Sequence, residues 1–335
     1  MARYSYTSTR TPLARRLREF HQLLRMTRRP PESAVDWVVG LHDLTKARVR
    51  EHTGVELRGL RGLEVGPGQN LGCMRCFSRE NEMVGIDTDV IVDGATPLDY
   101  LKMLHHNSAL RTFKTLGRQV LGVDRRFLSA LAAQLKVTKF APMKLVRMSA
   151  TNMAFADASF DFVYSHSVFE HIDDPAAALR EISRVLRPGG AAYIGVHLYT
   201  SHSGSHDPKV LADGWPTPPL WPHLRPSFAH MVHPNAYLNE LRLEQWYRIF
   251  DKLLPGVVFA NDCQQAEVGE GLRELREVGE LAGYSDEELV TVNVNAIWQK
   301  PLHAAEKLEV GAARKATQSK LGRAAPRHGP LVSDN

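Results

Sequence analysis

Glu64, Gly66, Pro67 and Gly68 form the run Glu64-x-Gly66-x-Gly68 at the end of a short apolar stretch, and Asp87 closes the apolar stretch that follows. These types at this spacing suit the holding of a nucleoside. Glycines let a backbone approach a ligand closely, and an acid at the end of the next strand accepts both ribose hydroxyls. A dinucleotide fingerprint would need a third glycine at position 71, which is Leu71. Glu64 would repel a pyrophosphate and suits a ligand whose far end is positively charged.

A doubly wound α/β unit positions such residues. Strands are expected at 62–65, 83–87, 144–148, 160–165, 191–198, 257–260 and 290–298. Helices are expected at 33–52, 70–79, 98–104, 124–135, 235–254 and 268–282. More than fifty residues separate the second and third strands, far more than a minimal unit needs. This insertion, 94–140, should lie near the strand C-termini and cover cofactor or substrate. The stretch 199–235 is dense in Pro, His, Ser and Trp and is expected to be a substrate loop or lid.

Glu64-x-Gly66-x-Gly68 resembles motif I of the class I S-adenosylmethionine-dependent methyltransferases, of the type 11 kind. The resemblance continues through Ser159-Phe160-Asp161, Glu170-His171 and Leu186-Arg187-Pro188-Gly189-Gly190, and covers residues 60–198 best. Two positions depart from the family pattern. Asn70 stands where a third glycine is common, and Asn tolerates the left-handed conformation such a turn requires. Ser149 stands where an Asp commonly binds the adenine amino group.

The resemblance implies a seven-stranded, mostly parallel sheet of order 3-2-1-4-5-7-6 whose terminal hairpin brings one antiparallel strand. It implies S-adenosyl-L-methionine as cofactor. Glu64, Gly66, Pro67 and Gly68 would frame the amino-acid part, and Asp87 the ribose. Ser149 or the backbone of Ala150 would meet the adenine, and Ser165 would lie near the methyl.

Methyl transfer from a sulfonium is an in-line displacement, so the protein mostly positions the nucleophile. A hydroxyl acceptor loses a proton as it attacks, a task suited to histidine near neutral pH. His166, just past the fourth strand, is the first candidate for general base; His197, His202 and His206 follow. His171 reads as structural. His202-x-x-x-His206-Asp207 holds ligand types that suit zinc, manganese or iron, but no third ligand is evident and no metal is expected. Cys73-x-x-Cys76 lacks a second pair and reads as helix packing.

The acceptor is expected to be a small metabolite, a glycan or a glycolipid. Trp215 and Trp221 offer flat faces for a sugar ring, with His223, His230 and His233 to bond its hydroxyls, although the same aromatics would serve equally as lid packing. The segment Trp221-Pro222-His223-Leu224 is similar to one in bacterial methyltransferases encoded with cell-surface glycan or lipid biosynthesis. Two alternatives stand beside this reading: a catalytically inactive S-adenosylmethionine-binding scaffold, and an RNA methyltransferase.

The 335 residues carry a net charge of +5, with 43% hydrophobic and 24% charged side chains, as in a soluble globular protein. No apolar run reaches membrane-spanning length, no secretory leader is read at the N-terminus, and three cysteines fit a reducing compartment, so a cytoplasmic location is expected. Residues 1–30 hold eight arginines and one acid. Within 1–32, Leu13, Leu17, Phe20 and Leu24 recur at helical spacing, an amphipathic basic helix over 12–29. It would pack on the domain or a partner copy, or lie on an anionic membrane. Nucleic acid is not the expected partner, because no RNA-binding signature accompanies the arginines. The domain itself is expected over 33–299, and 300–335 reads as a disordered basic tail.

Overall fold

The computed structural model describes residues 30–93, 96–107, 109–207, 220–234 and 236–302. The expected basic helix at 12–29, Trp215 and the tail beyond 302 lie outside the described residues.

Eight strands form one sheet: β1 (Arg61–Val65), β2 (Glu82–Asp87), β3 (Lys144–Arg147), β4 (Phe160–His166), β5 (Leu186–His197), β6 (Val258–Phe259), β7 (Asp262–Cys263) and β8 (Thr291–Gln299). Their order is β3-β2-β1-β4-β5-β8-β6, with β7 also paired to β8. β1 to β5 run parallel, and β8 is antiparallel to β5, β6 and β7. The expected order holds once β7 is set aside. That two-residue strand has no apolar run to announce it. A side chain anchors it instead: Asp262 Oδ2 accepts from Asn293 Nδ2 (3.2 Å) and Asn295 Nδ2 (2.9 Å), and Asp262 Oδ1 from an Arg48 guanidinium nitrogen (2.8 Å).

Central parallel strands are covered on both faces, so their side chains divide by alternation. Phe162 and Tyr164 of β4 pack with Phe77, Val38 and Val49 on one face; Val163 of the same strand packs with Leu63, Ile182 and Ile194 on the other. Each such side chain, fully buried, contributes roughly 1.5–3 kcal/mol. Helices α1 (Glu32–Thr53), α2 (Gly72–Phe77) and α5 (Val123–Gln134) cover the first face, and α6 (Pro175–Val185) and α8 (Leu243–Leu253) the second.

The insertion holds α3 (Pro97–His106) and α4 (Ala109–Val120) as well as α5. α4 has no counterpart among the expected helices. The helix expected at 235–254 begins only at Leu243, because Asn239 turns its amide onto the carbonyls of Phe169 (2.9 Å) and Ile172 (3.0 Å) and Glu240 takes φ +55. Those contacts hold 239–240 in an irregular strap against the end of β4. The remaining helices are α7 (Pro226–Ala229), α9 (Gln265–Glu277) and α10 (Asp286–Val290). Among the described residues no helix is long and apolar enough to cross a membrane.

Candidate active site

β1 ends where its register meets both neighbours: Val65 lies opposite Ile86 of β2 and Ser165 of β4. The chain then turns sharply. Gly66 has φ +70 and Gly68 φ +67, and the Gly66 N–H donates to the Ile86 carbonyl at 2.8 Å. A Cβ on Gly66 would stand 2.4 Å from Val168 Cγ2, whereas one on Gly68 would meet nothing within 4 Å. Gly66 is therefore required by packing and conformation together, while Gly68 faces an open groove. Pro67 is buried against Gly85. The next left-handed residue is Leu71 (φ +55), not Asn70, whose Oδ1 instead accepts from the Gly72 N–H (3.3 Å) at the start of α2.

Glu64 is buried beneath α2, its Oε2 meets no hydrogen-bond partner, and no ion pair reaches it among the described residues. Burial alone pushes its carboxyl up to about 8. Asp87 lies one position past the Val65–Ile86 pair, and its Oδ1 accepts from the Asp89 N–H at 2.8 Å. Burial raises its carboxyl too, opposed by that hydrogen bond and by the charge of Arg111, which pairs with Asp89.

Ser149 Oγ accepts from the Thr151 N–H (3.2 Å) and lies 2.8 Å from Thr151 Oγ1, so its hydroxyl is engaged in closing a turn. Ala150, buried, follows in that turn. Ser165 is fully buried and donates to the Val65 carbonyl at 3.1 Å; its hydroxyl ties β4 to β1 within the sheet.

His166 Nδ1 lies 3.0 Å from Ser167 Oγ, and its ring meets Trp37 edge-on at 5.9 Å. Burial holds its imidazole down at about 4. It is neutral at pH 7, so the proton-accepting form is the one present.

Of the other three candidate histidines, His197 and His206 meet and His202 stands apart. His206 is buried, and its ring lies 4.6 Å from that of His197 and 4.8 Å from that of His171. His206 Nε2 is 3.9 Å from Glu170 Oε1. His202 is not part of that group, and Glu267 is the charge that acts on it. Glu170 and His197 stand beside His206 instead, because β4 and β5 bring them together in space. His197 is among the candidate bases, whereas Glu170 reads in the sequence only as part of the Glu170-His171 pair. Trp221 is wholly buried, donating to the Leu289 carbonyl at 3.2 Å and packing with Leu272 and Leu289, so it is lid packing and not a ring platform.

A cavity of about 620 Å³ opens at the far end of the glycine turn, lined by Gln69, Asn70, Arg75, Asp93, Tyr100 and Arg125 among others. The insertion walls it. Glu64, Gly66 and Asp87 do not line it, so size and chemistry point to different places. The open backbone at Gly68, close to a buried acid without a partner, is a second candidate ligand site.

A family model described as a methyltransferase domain matches residues 106–194. That stretch is similar to a methyltransferase domain. S-adenosylmethionine is the cofactor of that family. The matched stretch of the methyltransferase domain takes in β3, β4, α6 and most of β5, and the glycine turn precedes it. A methyltransferase of Mycobacterium sp. strain JLS is 35% identical over 98 residues, 28% of this chain and 36% of its own length. The O-methyltransferase rstn1 of Aspergillus nomiae is 40% identical over 75 residues, 22% of this chain and 32% of its own length. The chain thus spans about a third of the length of these two curated relatives. Phosphoethanolamine N-methyltransferase 2 of Haemonchus contortus, in complex with S-adenosyl-L-methionine, superposes with a TM-score of 0.43 at 17% identity, over 80% of this chain and 56% of that one.

Proposed function

We propose that the chain transfers a methyl group from S-adenosylmethionine to a hydroxyl of a small metabolite or a glycan. One observation carries the reading: Glu64, buried and unpartnered, stands two residues before a glycine turn that abuts Asp87. A buried carboxylate left without a partner costs several kcal/mol, and the ammonium of an amino-acid arm is the group that would offset it. Glu64 would hold that ammonium, the Gly66–Gly68 backbone would lie along the arm, and Asp87 would accept from the ribose hydroxyls. When bound, the cofactor supplies an electrophilic methyl on a sulfonium. The protein's part is then to orient the acceptor in line and receive its proton. His166, neutral at pH 7 and just past β4, would take that proton. An oxygen acceptor is supported by this neutral imidazole and by the two Aspergillus relatives named O-methyltransferases.

Calorimetry with S-adenosylmethionine on the purified chain tests the site. Micromolar-range binding is expected, about −8 kcal/mol. Asp87→Ala and Gly66→Arg should abolish the heat; unchanged binding in both would refute it. Appearance of S-adenosylhomocysteine with a hydroxylated acceptor, reduced in His166→Ala at unchanged cofactor affinity, tests the chemistry.

A further inference from the structure

The ends of β4 and β5 carry a second cluster, apart from the cofactor residues. Glu170 lies in a single 3-10 turn (Phe169–His171) after β4, His197 is the last residue of β5, and His206 lies in the loop that follows. One ligand atom from each of the three lies within 4.8 Å of the others. Glu170 is 2% exposed and His206 9%. Neither Glu170 oxygen has a hydrogen-bond partner in proper geometry, and neither has His206 Nε2. The backbone N–H groups of Glu170 and His197 lie near enough to that carboxylate to favour its charge without bonding it well. Three buried polar atoms thus converge on one point with no well-formed hydrogen bond to any of them, at a cost of about 1–3 kcal/mol for each unmet group.

The surroundings fix which ring atoms face inward. His171 Nδ1 lies 2.7 Å from the Tyr237 carbonyl, which only accepts, so Nδ1 carries the proton and Nε2 presents a lone pair. That Nε2 is 4.0 Å from Glu170 Oε1. His197 Nε2 lies 2.9 Å from Ser203 Oγ. A ring nitrogen bonded to a carbonyl or hydroxyl behind the ring is the usual support of a metal-ligating histidine. The loop is also held in an uncommon conformation to bring His206 in. His206 has φ +49, outside the region a non-glycine residue prefers, and its N–H donates to the Ser203 carbonyl at 3.2 Å. A Cβ on Gly204 would fall 2.1 Å from the Tyr199 carbonyl oxygen, so the tight loop requires glycine there. Strain concentrated at one buried imidazole is what a ligand site would compensate.

We propose that Glu170, His197 and His206 bind one divalent transition-metal ion of the zinc class, with His171 completing or flanking the set. Two imidazoles and a carboxylate suit zinc, cobalt or iron and disfavour magnesium and calcium, which take oxygen ligands. Tetrahedral ligands about 2.1 Å from zinc stand about 3.4 Å apart. The 3.9 Å between Glu170 Oε1 and His206 Nε2 exceeds that by an amount small rotamer adjustments absorb, and all three ligand atoms lie within 4.8 Å of one another. No redox step is invoked, and the site does not depend on the methyl-transfer reading.

The test uses the full chain, stripped with chelator, incubated with zinc sulfate or cobalt chloride and desalted. Mass spectrometry of the metal content should find about one zinc per chain. The cobalt form should show the intense visible bands of a four- or five-coordinate ion. Glu170→Gln and His206→Gln should each lower zinc affinity more than tenfold, while the exposed His105→Gln leaves it unchanged. Wild-type protein that retains neither metal overturns the proposal. So does a cobalt spectrum with only the weak bands of the hydrated ion, which reads the wild type alone and holds even if the variants fail to fold. Equal zinc affinity in wild type and both variants, folded by circular dichroism, also overturns it. Cofactor calorimetry on the same samples reports separately on the methyltransferase site.

Discussion

Glu64 should make cofactor binding a proton-releasing reaction. Burial holds its carboxyl at about 8, so at pH 7 about one chain in ten carries the charge at rest. The ammonium of the ligand favours the ionised form, so binding must expel the proton. The cost is about 1.4 kcal/mol at pH 7 and about 2.7 kcal/mol at pH 6. Affinity should therefore fall by a few-fold between pH 8 and 7 and nearly tenfold for each pH unit below 7. Above pH 8 it should fall again as the ligand's α-amino group, with an ordinary value near 7.7–8.0, loses its own charge. Calorimetry in two buffers of different ionisation enthalpy counts the protons, and a net release of about 0.8 per binding event is expected at pH 7, Glu64 giving up about 0.9 and the ligand's amino group taking up about 0.1. Glu64→Gln should bind more weakly, with a nearly flat profile between pH 6 and 7. The reasoning is refuted if the wild type releases no proton and its affinity is constant over that range, or if Glu64→Gln binds as well as the wild type.

The same residue predicts a trade-off. An acid whose folded value is raised stabilises the fold below its ordinary value and loses that contribution as pH rises through about 8, so unliganded Glu64→Gln should be more stable than wild type at pH 8, by an amount that shrinks toward pH 5 in urea titrations. Gly66→Ala should lower stability by about 1–3 kcal/mol, read as a reduced Tm, since its Cβ would meet Val168 in a left-handed turn. Gly195→Ala would place a Cβ 2.6 Å from His166 Cδ2; the imidazole must move, and kcat should drop while cofactor affinity stays. Arg184 donates to the carbonyls of Met153 (2.8 Å) and Phe155 (2.7 Å) and pairs with Glu181 and Asp157, so Arg184→Ala should cost roughly 2 kcal/mol in denaturant titration by loosening the 149–157 loop.

Local pattern was enough for the framework. Apolar runs ending in Gly66 and Asp87, the Phe160–Ser165 strand and the Val35–Val49 face are periodicities that buried strands and an amphipathic helix must show, and they stand where the sequence placed them. Glu64, Gly66 and Gly68 are brought to one strand end by chain connectivity alone, and Asp87 joins them through the β1–β2 register that sets Val65 opposite Ile86. What the sequence could not express is proximity between segments distant along it. Ser165 was expected at the methyl, but the β1–β4 register turned its hydroxyl onto Val65. His202 and His206 were both candidate bases from one loop; the left-handed turn at His206 sent one toward Glu170 and left the other outside. Glu170 and His197 meet because β4 and β5 are adjacent and parallel, so that residues at and past their ends converge. Composition and spacing thus determined the sheet and the glycine turn, since these are local consequences of hydrophobic burial and backbone freedom. Which polar side chains face one another across the strand ends was decided by tertiary register, where a shift of one residue reverses the direction of every side chain.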